Sequence, residues 1–290
     1  LLRSNQWGAV RVLPENDPSV DLQVKAKVKA SNGKRILVHI EAIDSTGRVW
    51  LDQEYLDLAS EDDFSDRVRI TPGQPFDPEE FVEPFQDIYN AISNSLVKFR
   101  SALTEQELVD LKRVSEMIYA RDLAPESFDD NLRQDSSNLL TVVSLPAKDD
   151  PMLKRVEDMQ TRHHLFIDTV DEYYRSLYEQ MRPSYAVWRK YSFDQINEDT
   201  KAAKEQYDFQ NYGQSGSYLT LTQRYDRYRW SKIFELEYRE ISAGFNNEVG
   251  PAILELNKSV HGLSGTMEEQ YIQWKRILRQ LFSLEAEIPN

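Results

Sequence analysis

The chain has 290 residues, 40% of them hydrophobic and 29% charged, and its 35 basic and 49 acidic residues give a formal net charge of −14. That length exceeds what one compact core usually holds, so two domains are expected, and the composition is that of a globular chain rather than a disordered one. Acidity in both halves argues against nucleic acid and anionic lipid, which are bound through clustered Lys and Arg. The absence of cysteine excludes disulfides, thiolate metal sites and cysteine nucleophiles, and no apolar run reaches the roughly 18 residues that cross a bilayer.

Leu1-Leu2-Arg3-Ser4-Asn5 reads as the end of a helix begun upstream, not as a signal peptide. Gly8–Leu13 reads as a short strand ended by Pro14. From Val20 to Ala30 apolar residues alternate with Asp21, Gln23, Lys25, Lys27 and Lys29, a period of two that predicts a half-buried strand. Asn32-Gly33 predicts a hairpin, since both residues tolerate positive φ. Arg35–Ile43 returns with Ile36, Val38, Ile40 and Ala42 inward, Asp44–Gly47 turns, and Val49–Leu58 is a third strand.

Such a meander needs a cover. Asp77-Pro78-Glu79-Glu80 has the form of a helix start, with Pro84 shifting that start downstream or kinking it, and Phe81, Phe85, Ile88, Ile92, Leu96 and Phe99 recur at helical spacing. Helices follow. Thr104-Glu105-Gln106-Glu107 is a capping box, and Leu123–Pro146 is irregular apart from the apolar run Leu139–Leu145. Asp150-Pro151 then starts a long stripe: Leu153, Val156, Gln160, His163, Ile167, Val170, Tyr174, Leu177 and Met181, until Arg182-Pro183 stops it. Tyr185–Phe209 is amphipathic, Tyr212–Ser217 is a break, Tyr218–Ala243 is helical, and Val249, Ile253, Leu256 and Val260 form a shorter helical stripe. Thr266 and Glu269 cap a last helix with Met267, Tyr271, Trp274, Leu278 and Leu281 on its seam.

His163 and His164 with Asp168 and Glu172 form a cluster of metal-ligand type. His164, Asp168 and Glu172 share one helix face, and two such groups could hold zinc if a third ligand came from elsewhere. The preferred alternative is that His163, beside Gln160 on the seam, sets helix register, so no metal, cofactor or catalytic residue is assigned. Gly213-Gln214-Ser215-Gly216 matches neither a P-loop nor a nucleophile elbow. Tyrosines crowd the second half, and Tyr225, Tyr228, Arg229 and Trp230 are the candidates for a partner-binding face, with ordinary helix packing as the other reading.

Trp7-Gly8-Ala9-Val10-Arg11-Val12, the turn Asp44-Ser45-Thr46-Gly47-Arg48-Val49-Trp50, and Phe85–Ile92 make Leu1–Leu103 resemble the TolB-amino-terminal-like domain. Related domains occur in the curli-secretion lipoprotein and in lipoprotein activators of penicillin-binding proteins. The family's opening strand, most of its first helix and a lipidated cysteine would lie upstream of Leu1. The resemblance implies a non-enzymatic protein of the periplasm, associated with the outer membrane. Thr104–Asn290 carries no resemblance.

The expected architecture is α+β, with an antiparallel meander roofed by a helix over residues 1–103 and a helical bundle over 104–290. The expected function is a cell-envelope scaffold that binds protein partners by strand addition or helix packing, with a lipid anchor possible upstream. Two alternatives are a small-molecule or glycan binder with an aromatic pocket between helices, and a metal-dependent enzyme centred on His163 and His164.

Overall fold

The structure is a computed structural model that describes residues 1, 4–64, 82–147, 150–212, 232, 235–236, 239–240, 243, 253–256 and 259–287. The chain is α+β. Three antiparallel strands, β1 (Leu22–Ser31), β2 (Arg35–Asp44) and β3 (Val49–Leu58), lie in sequential order. Two helices follow, α1 (Gln86–Ala102) and α2 (Glu105–Leu123), then a single turn, α3 (Pro125–Phe128). A hairpin, β4 (Leu132–Gln134) and β5 (Leu140–Val142), leads to α4 (Pro151–Tyr212). A second hairpin, β6 (Ile253–Leu256) and β7 (Ser259–Gly262), precedes α5 (Met267–Glu287).

The alternation in the sequence sets the sheet's inner face. Ile36, Val38, Ile40 and Ala42 are buried against Ile88, Ile92 and Leu96 of α1. On β1 the same alternation has a different outcome: α1 lies against β3 and shares a core with the buried side chains of β2, while Val24 and Val28 stay 36% and 58% exposed. Helix α1 starts at Gln86 because the residue before a proline is steered out of the helical region, and Glu83 precedes Pro84. Residues 77–80, with the expected start signal, lie outside the described residues.

The turn after β2 is a self-contained lock. Asp44, 5% exposed, accepts hydrogen bonds through Oδ1 from the Thr46 amide (2.9 Å), the Thr46 hydroxyl and the Arg48 amide (3.1 Å). Its Oδ2 accepts from the Trp50 indole N–H at 2.8 Å. Gly47 closes the turn at φ +90°, a conformation costly for any residue with a Cβ. The turn then docks outward: Leu140 donates its amide to the Thr46 carbonyl (2.8 Å), and Arg48 pairs with Glu107 of α2 (2.9 Å).

The other end of the sheet meets α4. At Asn32-Gly33 neither residue has positive φ. The Asn32 side chain instead accepts from the amides of Lys34 and Arg35, both at 2.9 Å, and Gly33 is needed for a different reason. A Cβ at position 33 would lie 2.1 Å from the Phe193 backbone nitrogen, so only glycine lets α4 come this close.

Three further expectations are corrected. Gly8–Leu13 forms no strand; its backbone follows α4, with the Val12 amide bonded to Asp171 at 3.0 Å. Arg182-Pro183 does not end α4, which continues through Pro183 and spans 62 residues in all. A proline inside a helix costs about 3 kcal/mol. Contacts beyond it offset that cost, since Ser184, Ala186, Arg189 and Phe193 are all buried. The stripe at Ile253, Leu256 and Val260 belongs to the β6–β7 hairpin, with Leu256 opposite Ser259, and not to a helix. Short apolar runs fit both periods, and cross-strand pairing decided this one.

Two cores result. One lies between the sheet and α1, and the other unites α2, α3, β4, α4 and α5. Each borrows from the other half of the chain: Phe193 of α4 packs into the sheet core, and Leu13 packs against the helical one.

Candidate functional site

The most concentrated buried chemistry gathers around a residue that sequence reasoning passed over. Asp17 is 1% exposed and lies in the helical core, carried there by an N-terminal strap, residues 6–20, that has no secondary structure beyond turns. Trp7 packs on Trp50 with ring centroids 6.3 Å apart and beneath the Arg100 guanidinium. Arg11 pairs with Asp168 at 2.5 Å. Where the strap enters β1, Asp21 accepts a hydrogen bond from the Ser115 hydroxyl at 2.6 Å.

Three segments converge on the Asp17 carboxylate. Within the strap, Ser19 donates both its amide (3.0 Å) and its hydroxyl to Oδ1. From α5, the Tyr271 hydroxyl donates to Oδ2 at 2.6 Å and the Lys275 ammonium stands 3.5 Å away. From α4, His163 Nε2 lies 3.4 Å from Oδ2. Lys275 also reaches Asp122 of α2 at 3.3 Å, and Arg279 grips the same carboxylate. Two carboxylates, Asp17 and Asp122, therefore face two basic side chains, Lys275 and Arg279.

Electrostatics follow from the geometry. Burial alone would raise the Asp17 pKa; the contacts from His163, Lys275, Ser19 and Tyr271 outweigh it and hold the carboxyl well below the usual range. Burial, reinforced by the negative charges of Asp17 and Asp122, raises the phenols of Tyr119 and Tyr271, so neither ionises near neutrality. The His163 ring is sandwiched, 5.6 Å from Tyr119 and 5.7 Å from Tyr271. Arranged this way, the cluster fastens one strap to two helices.

The four residues considered for a metal are not brought together. His163 turns inward to Asp17, while His164 lies on the outer side, its pKa lowered first by partial burial and then by Arg11. Asp168 is taken by Arg11, and Glu172 pairs with Arg175 at 3.1 Å. Among the described residues no three His, Asp or Glu groups converge on one ion position. Tyr225, Tyr228, Arg229 and Trp230 lie outside the described residues.

A second buried cation joins α4 to the sheet. Arg189, 4% exposed, donates to the Asn32 carbonyl (2.6 Å), the Ser31 hydroxyl (2.8 Å) and the Tyr185 hydroxyl (2.8 Å). Its guanidinium also stacks over the Phe85 ring at 4.9 Å. Tyr185 passes the chain on to Glu83 at 3.2 Å; burial raises the Glu83 pKa, against the pull of Tyr185 and Arg189.

A groove of about 410 Å³ runs between the Thr46–Arg48 turn, α2 and the β4–β5 hairpin. Its walls are aliphatic and charged, among them Leu139, Val142, Arg48 and Arg113, with no aromatic ring. Comparison with protein-family models, with curated proteins and with solved structures finds no match. No described helix is long and apolar enough to cross a membrane.

Proposed function

We propose that this chain is a non-catalytic scaffold of the bacterial cell envelope, periplasmic and associated with the outer membrane, which binds protein partners through its helical part. The observation that carries the non-catalytic reading is the Asp17 cluster. Its carboxylate, phenol and ammonium groups are spent on each other and on joining the strap, α4 and α5. A general acid or base needs a pKa near the operating pH, and the surroundings lower that of Asp17 and raise that of Tyr271, moving both away from neutrality. Support for the envelope comes from the resemblance of the Asp44–Trp50 turn, whose residues act together as a lock at the sheet corner. An acyl anchor upstream of Leu1 would fit the same placement.

Fractionation of source cells, with photo-crosslinking residues at positions 225, 228 and 230, tests both parts. Recovery in the envelope fraction with a discrete protein adduct is the expected result. A cytosolic protein would overturn the envelope placement, and an envelope protein without an adduct would overturn the binding role of that segment.

A further inference from the structure

The central sheet carries opposite charge on its two edges, and we propose that it pairs edge to edge with a second copy of the chain, β3 of one copy against β1 of the next. The inference does not depend on the envelope placement. In the strand order β1-β2-β3 both outer strands are edges, and no backbone hydrogen bond from another described segment reaches them. Such edges are templates for strand addition unless something blocks them.

Register fixes which side chains stand at each edge. Lys25 and Asp52 both face Glu41 from either side, and Lys27 and Glu54 both face His39. On this face β1 is therefore the cationic edge and β3 the anionic one, with all four side chains exposed. Pairing β1 with β1 would bring lysines together, and pairing β3 with β3 would bring acids together; like charges directly opposite destabilise a sheet. Only the unlike pairing is favourable.

Direction agrees with charge. Both outer strands are antiparallel to β2, hence parallel to each other. A copy displaced across the strands, with the ordinary sheet twist, sets its Lys25 beside Asp52 and its Lys27 beside Glu54. The same displacement answers the apolar row left open on the opposite face. Val24 and Val28 share that face with Ala42 and Val38 and so with Leu51 and Tyr55 of β3. In the pair they come beside the neighbour's Leu51 and Tyr55, on the flank of its α1. A heterologous contact of this kind propagates, giving open chains or a ring.

Sedimentation of the purified chain over a range of concentrations and salt tests the proposal. The wild type is expected to associate beyond a dimer, more weakly at high salt. The charge-reversed pairs K25E/K27E and D52K/E54K each weaken association by about tenfold, as expected for two lost cross-strand ion pairs and the repulsion that replaces them. An equimolar mixture of the two variants restores association, because each then offers the edge the other lacks. That restoration also shows that both variants are folded. A wild type that stays monomeric, variants that associate undiminished, or a mixture that fails to restore assembly would each overturn the proposal.

Discussion

Asp17 shows how much of this molecule rests on single side chains. Its folded-state pKa lies below the unfolded value of about 3.9, so its contribution to stability is complete above that value and is lost as pH falls through the folded one. Replacing it with Asn leaves Lys275 and His163 facing a neutral group in a buried site. We expect a loss of about 3–5 kcal/mol at neutral pH in denaturant unfolding, and a gap between wild type and Asp17→Asn that narrows in acid. Gly33→Ala drives a methyl group into the α4 backbone and should cost about 1–3 kcal/mol, read as a lower midpoint of thermal unfolding. The sequence hid both roles. Asp17 sits in a polar turn with Pro14 and Pro18, and no local pattern ties it to position 163. The hint was His163 itself, which with Gln160 interrupts an apolar stripe and needed a partner.

At the scale of elements, local chemistry was legible and long-range cover was not. The capping box at Thr104 is present, its hydroxyl accepting from the Glu107 amide at 3.2 Å, and Thr266 and Glu269 cap α5 in the same way. The meander matched its alternation on β2, yet β1 shares the pattern without the burial, because period says which residues share a face and not what covers it. Pro183 read as a stop because a proline breaks the local hydrogen-bond ladder. Arg189 and Phe193, which hold the helix together beyond it, bond and pack with residues more than a hundred positions away. Arg189→Met should therefore loosen the second half of α4 selectively. Hydrogen exchange is expected to rise around residues 184–197 and at the β1–β2 turn, with little change around residues 153–170; uniform change along α4 would contradict this.

For the whole molecule, the buried side chains form two cores, and the chain crosses between them through the strap and through α4. Both crossings are secured by buried charge, Asp17 at one and Arg189 at the other. Length and residue periodicity pointed to an α+β chain of two domains. It could not show that the cores are fastened together, because a fastener is a contact between distant positions. The function we propose needs that rigidity, since a scaffold presents its surfaces in fixed relation. Hydrogen exchange along the strap tests the claim most directly. The amides of Val12, Ser19 and Val20, each hydrogen-bonded in the structure, should be protected to a degree comparable with α5, and that protection should collapse in Asp17→Asn while α5 stays folded. A strap that exchanges freely in the wild-type chain would contradict the account.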